Sequence, residues 1–99
     1  MTVACTTLEE VRENIDRLDQ HIVTLLAERG HFVSQAAHFK KDTDDVKAPQ
    51  RVEQVIAKVR ALSKVVGANP EVTEQVYRAM IAAFIQQELA EHAALGTAG

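Results

Sequence analysis

Two basic residues of the sequence, Arg29 and Lys40, are spaced to grip a small dianion from one helix face. Arg29 continues the three- and four-residue spacing of an apolar series, where a charge costs several kcal/mol unless it is paired. Lys40 follows eleven residues later, which returns to nearly the same face about 16 Å further along a helix. Either the apolar series has ended and Arg29 pairs with a carboxylate elsewhere in the fold, or both side chains face an anionic ligand.

Arg12 lies too far from this pair to join it from the same straight helix. It precedes Arg29 by seventeen residues, which is roughly 25 Å of helix. In an antiparallel dimer, the partner's Arg12 would face the interval between Arg29 and Lys40. The twofold axis would then cross near Val23–Leu25, in the middle of the apolar seam. The alternative is a solvated charge on the helix surface.

Arg51 is a further candidate for binding an anion. It lies with Lys47 near the start of a second predicted helix, and a helix N-terminus with basic neighbours attracts anions. The alternative is a surface arginine that pairs with Glu53 or with the acidic residues of the preceding loop.

Glu88 extends an apolar stripe of the third predicted helix. The members of that stripe are spaced by four, three and four residues: Tyr77, Ile81, Phe84 and Glu88. A carboxyl group in such a position is either at a frayed, solvated helix end or buried and functional. A buried carboxyl group can be protonated and can then donate a hydrogen bond.

A long first helix must carry the basic residues. Thr6 or Thr7 can cap it, with Glu9 or Glu10 completing a capping box. The residues of its heptad seam are Leu8, Val11, Ile15, Leu18, Ile22 and Leu25. The same frame continues through Phe32, Ala36 and Phe39. A helix over about 8–41 would be about 50 Å long, which exceeds what a 99-residue globule can cover and therefore predicts a partner chain.

Two shorter helices complete the predicted all-α chain. Residues 41–48 are polar and aperiodic, so we predict a loop there. A second helix over 49–66 begins at a proline, and Gly67 is its natural stop. Asn69 is the predicted cap of a third helix over 70–91.

Composition bounds the remaining possibilities. The 99 residues form a single predicted domain, 1–99, with 46% apolar and 25% charged residues, as in globular proteins. The net charge of -3 predicts no nucleic-acid partner, and no apolar run is long enough to predict a membrane span. The single cysteine and the lack of a signal-peptide pattern predict a cytoplasmic protein. The four histidines have no metal-ligand spacing and no glycine-rich phosphate loop is present, so we predict neither a metal nor a cofactor.

The sequence resembles the AroQ class of chorismate mutases and the related isochorismate-pyruvate lyases over about residues 8–90. The matching segments are VRENIDRLDQHIVTLLAERGHFV, AAHFK, APQRV and MIAAFIQQELA, in that order. The resemblance implies three helices per chain in an intertwined, all-helical homodimer. It also implies two active sites, each including residues from both chains.

Site roles follow from the same resemblance. Arg12 would be lent by the partner chain to one substrate carboxylate, and Arg29 would bind the other. Lys40 would donate to the ether oxygen and to a carboxylate, and Arg51 would help to position the substrate. Glu88 would be the second donor to the ether oxygen. Catalysis would thus depend on Lys40, Glu88 and Arg29.

Three positions bear on which reaction the resemblance implies. Ala48 stands where many mutases have an acidic residue that contacts the substrate hydroxyl, and the lyases resemble this sequence there. Phe84 replaces a small polar residue of some mutases. Glu88 argues against the lyases, whose pattern has glutamine. The leading expectation is a chorismate mutase of aromatic amino acid biosynthesis (the shikimate pathway). The alternatives are an isochorismate-pyruvate lyase and a non-catalytic helical dimerisation module.

Overall fold

The structure, a computed structural model, describes residues 4–97 of the chain, with side chains described as far as residue 94. Within that range every regular element is a helix, which confirms the all-α prediction. The helices are α1 (Leu8–Ala37), α2 (Thr43–Lys47), α3 (Pro49–Val66) and α4 (Pro70–Thr97). Over the same range, no helix is long and apolar enough to cross a membrane.

The end of α1 differs from the prediction. The helix ends at Ala37 rather than near residue 41. The next three backbone N–H groups, of residues 38–40, donate to carbonyls three residues earlier, at 3.0–3.3 Å. The chain thus tightens before it leaves the helix, as helix termini often do.

The predicted loop over 41–48 contains the five-residue helix α2, so this part of the prediction was wrong. Asp42 caps α2, since its side chain accepts a hydrogen bond from the Asp45 N–H at 2.9 Å. One helical turn is too short to display a period in the sequence, although the capping aspartate was visible. The helix α4 also continues to Thr97, six residues beyond its predicted end.

The chain divides into two units within α1, between Phe32 and Val33. In the first unit, residues 4–32, the helix begins as predicted: the Thr7 hydroxyl accepts from the Glu10 N–H at 3.1 Å, and the Glu10 carboxylate accepts from the Thr6 N–H at 2.9 Å. The seam residues from Leu8 to Phe32 are 39–63% exposed. A single helix cannot bury its own apolar stripe, so this seam needs a cover from outside the helix.

The second unit, residues 33–97, contains the buried core. Its buried apolar residues are Ala37, Val46, Ile56, Val59 and Ile81. The turn between α3 and α4 forms as predicted: Gly67 takes a positive φ of 80°, and the Asn69 side chain accepts from the Glu71 N–H at 2.9 Å. Because only glycine adopts that φ without strain, Gly67 ends α3 at this residue.

Ion pairs connect α3 to α4. Arg78 donates to both carboxylate oxygens of Glu53, each at 2.9 Å, and to Glu74 at 2.8 Å. Arg60 donates to Glu71 at 2.8 Å and to Glu74 at 2.7 Å. These arginine hydrogen bonds lower the pKa of each of the three carboxyl groups below its ordinary value of 4.5.

The network predicts that acid weakens the pairing of α3 with α4. Because the folded-state pKa of each carboxyl group is lowered, its contribution to stability is present above about pH 4.5 and lost as pH falls further. Urea unfolding at pH 7 and at pH 3 measures this loss. Arg78→Gln should destabilise the protein at pH 7 and have a smaller effect at pH 3. An equal effect of the substitution at both values would contradict the assignment.

Candidate active site

Lys40 and Glu88 form the central contact of the site. Lys40 lies just after α1, and Glu88 lies in α4. The Lys40 Nζ is 3.0 Å from Glu88 Oε2. Glu88 is only 5% exposed, so the predicted alternative of a solvated helix end is wrong. The Lys40 side chain is 25% exposed, so the pair lies at the edge of the buried core rather than inside it.

The Glu88 carboxyl group has unsatisfied hydrogen-bonding capacity. Among the residues that the structure describes, the buried Oε2 atom has no hydrogen-bond partner, since Nζ of Lys40 is close but does not approach along a hydrogen-bonding direction. The ammonium group still compensates this oxygen electrostatically, at 3.0 Å. A ligand that donates a hydrogen bond to the carboxylate, or accepts one from the protonated carboxyl group, would supply the missing hydrogen bond.

The short helix α2 holds the Lys40 side chain in place. The Lys40 Nζ donates to the backbone carbonyl of Asp45 at 3.3 Å. The Asp45 carboxylate accepts from the Lys41 N–H at 3.0 Å, which ties α2 back to the segment after α1. The unpredicted helix α2 therefore positions the lysine.

The C-terminal half of α4 contacts the end of α1 at two more points. His92 Nε2 lies 2.9 Å from the backbone carbonyl of Lys40. Ser34 donates to the Glu91 carboxylate at 3.0 Å. Sequence reasoning missed these residues, although His92 follows Glu88 by four residues and so shares its helix face.

The predicted arginines lie on two different elements. Arg51 is exposed in the first turn of α3. Its predicted alternative partner, Glu53, pairs with Arg78. Arg12 is exposed and Arg29 half-buried, both on α1 within the first unit. The structure thus brings Lys40 and Glu88 together, and the roles of the arginines stay predictions.

Ala48 joins α2 to α3 in a strained conformation. Its φ of 38° and ψ of 61° are left-handed, and it has the only positive φ of a non-glycine residue in the part of the chain that the structure describes. Such a conformation costs an alanine about 1–2 kcal/mol. Two hydrogen bonds hold it: the Ala48 N–H donates to Asp44 at 2.9 Å, and its carbonyl accepts from Val52 at 3.0 Å.

Comparison with known proteins identifies the family to which this site belongs. Residues 11–89 match the family described as chorismate mutase type II, which covers most of the chain and includes all five predicted site residues. The chain belongs to the type II chorismate mutase family. The predicted membership of the AroQ class is thereby confirmed.

Two proteins that are similar to this chain have names that give different activities. An isochorismate pyruvate lyase of Pseudomonas aeruginosa is 29% identical over 85 residues, which are 86% of this chain and 84% of the relative. A bifunctional chorismate mutase/prephenate dehydratase of Aquifex aeolicus is 32% identical over 85 residues, which are 82% of this chain but 24% of that protein. The family thus indicates a chorismate mutase-type enzyme with a small-molecule substrate, and the names leave its reaction to be argued from the site.

Proposed function

We propose that this chain is a chorismate mutase, which rearranges chorismate to prephenate. The observation that carries the proposal is the Lys40–Glu88 pair, with a buried carboxyl oxygen that has no hydrogen-bond partner in the described chain. The rearrangement is intramolecular, and negative charge builds on the ether oxygen as its C–O bond breaks. Two donors aimed at that oxygen stabilise the transition state more than the ground state.

Lys40 and Glu88 would act as these two donors. An ammonium group has three N–H donors, of which Lys40 directs one at Asp45, so donors remain for the substrate. Glu88 would donate in its protonated form, with its proton directed at the ether oxygen. Because Asp45 and Glu88 already hold the Lys40 ammonium group, little reorganisation of this donor is needed during the reaction.

The arginines would bind the two carboxylates of the substrate. We assign Arg29 and Arg51 to the same chain as Lys40, and Arg12 to the partner subunit. Holding the dianion at both ends would favour its reactive conformer. The exposed seam of α1 supports the homodimer that this arrangement requires, since a second copy would cover it.

Mixing two inactive variants tests whether Arg12 acts across the dimer. Arg12→Ala and Lys40→Ala homodimers should each lack activity. In a mixed dimer, one site would combine an intact Lys40 with the partner's intact Arg12. Co-refolding equal amounts should therefore restore about a quarter of wild-type turnover, because half the dimers are mixed and each has one intact site. No restored turnover in dimers shown to be mixed would assign Arg12 to its own chain.

An isochorismate-pyruvate lyase is the second candidate. Ala48 favours it, because many mutases have an acidic residue there for the substrate hydroxyl. The lyase from Pseudomonas aeruginosa is similar to this chain over most of both lengths, which also supports it. Glu88 favours the mutase, since the lyase pattern has glutamine.

A product assay with purified protein decides between these activities. Chorismate and isochorismate are supplied separately, and prephenate, salicylate and pyruvate are followed over time. Prephenate from chorismate is the expected result. Salicylate and pyruvate from isochorismate, without prephenate from chorismate, would support the lyase. No product from a folded dimer would favour the non-catalytic dimerisation module.

A further inference from the structure

We propose that His92 is a positioning residue, which fixes the backbone of Lys40 so that the lysine ammonium group is held over the substrate. The inference rests on the proposed function only for the identity of the substrate. Its observation is the 2.9 Å contact between His92 Nε2 and the Lys40 carbonyl oxygen. A carbonyl oxygen can only accept, so Nε2 carries the proton and donates it.

The Lys40 carbonyl needs a donor from outside α1. The helix ends at Ala37, and residues 38–40 use their N–H groups in hydrogen bonds to carbonyls three residues earlier. A carbonyl beyond a helix end has no partner in the helical hydrogen-bond ladder. The imidazole of the half-buried His92 supplies that partner from α4.

His92 and Glu88 hold opposite ends of the same residue. They lie four residues apart on α4 and therefore on one face of that helix. Glu88 contacts the Lys40 ammonium group, and His92 contacts the Lys40 carbonyl. With both ends attached to one rigid helix, the ammonium group has a fixed position relative to Glu88. Without the bond from His92, the Lys40 backbone would keep, among the described residues, only its long N–H bond to Ala37, at 3.3 Å.

A neighbouring contact strengthens the attachment of α4 to the end of α1. Glu91 accepts from Ser34 at 3.0 Å and from Gln87 at 3.2 Å. This contact lies before Lys40 in sequence and does not reach the lysine itself. It therefore keeps the two helices together when His92 is replaced, and a variant at position 92 can report on the lysine rather than on the whole fold.

Substituting His92 should separate turnover from substrate binding. His92→Phe keeps an aromatic ring but has no donor, and we expect kcat to fall about tenfold with a smaller change in KM, since small displacements of a catalytic group cost this much or more. His92→Gln places an amide N–H at a similar reach and should restore kcat to within about threefold of wild type. His38→Phe, at an exposed histidine, is the matched control and should leave kcat unchanged.

The outcomes distinguish this inference from the proposed function. Equal losses of kcat in His92→Phe and His92→Gln, or wild-type kcat in His92→Phe, would overturn the positioning role. Nitrogen NMR of the imidazole in the wild-type dimer gives a readout that needs no turnover and no variant. The Nε2–H tautomer is expected, and an unprotonated Nε2 would overturn the hydrogen bond itself. If the wild-type protein forms no product from chorismate or isochorismate, the proposed function fails while the tautomer measurement still tests the contact.

Discussion

Replacing Lys40 with alanine should lower kcat by about 10²–10³, the usual loss when one preorganised donor is removed from a developing negative charge. The ammonium group would donate to the ether oxygen only as its charge builds, so the loss should fall mainly on kcat. Kinetics on chorismate, with prephenate as the product followed, measures the effect. If isochorismate proves to be the substrate, the same variant is measured on salicylate formation.

The fold of the Lys40 variant must be established separately. Removing the ammonium group leaves the buried Glu88 carboxyl group without its neighbour at 3.0 Å, and an uncompensated buried polar group destabilises a fold. Lys40→Met preserves the packing of the aliphatic stem and should lose as much turnover as the alanine variant. Circular dichroism and size-exclusion chromatography should show a folded dimer in both.

A neighbouring lysine provides the matched control. Lys41 is exposed, and only its backbone N–H takes part in the contacts of this segment. Lys41→Ala removes the same charge one residue away and should leave kcat within about twofold of wild type, as expected of exposed surface substitutions. Wild-type turnover in Lys40→Ala would exclude Lys40 from the site.

The sequence predicted the helices that have a sustained apolar spacing and a proline, glycine or capping residue at their ends. The bounds of α3 follow from Pro49 and Gly67, and Asn69 caps α4 as expected. These residues act locally, through fixed φ values and side-chain capping, so their effect does not depend on the rest of the chain. The heptad frame likewise located the seam of α1.

The sequence failed where tertiary contacts decide the conformation. The heptad spacing continues through Phe39, yet α1 ends at Ala37. The residues that follow form a separate short helix, α2, capped by Asp42. The aperiodic stretch over 41–48 therefore looked like a loop. A stretch without apolar periodicity gives no basis for predicting which of its residues form a helix.

The candidate site shows the same division. Glu88 could be singled out because a carboxyl group interrupts an apolar stripe, and its burial makes that interruption significant. Asp45 and His92 could not, because each acts on Lys40 through a backbone carbonyl group: Asp45 offers its own carbonyl and His92 binds the lysine's. Backbone carbonyls are present at every residue, so nothing in the sequence marks the ones that are used.

Replacing Glu88 with alanine should lower kcat by about 10²–10³, because the substitution removes the second donor to the ether oxygen. A carboxyl group donates a hydrogen bond only when protonated, and an ionised carboxylate has acceptors alone. The glutamine amide also donates, so Glu88→Gln should keep kcat within about tenfold of wild type. Steady-state kinetics of both variants on chorismate measures the difference.

The control for these substitutions lies one turn further along α4. Glu91 is also a carboxylate, but it accepts from Ser34 and Gln87, and a glutamine at 91 could keep the contact with Ser34. Glu91→Gln should therefore leave kcat unchanged. If Glu88→Ala turns over as fast as wild type, the second donor must come from another residue. A large loss of kcat in Glu88→Ala, with Glu88→Gln and Glu91→Gln close to wild type, would instead tie turnover to the hydrogen bond that this one buried side chain donates to the ether oxygen.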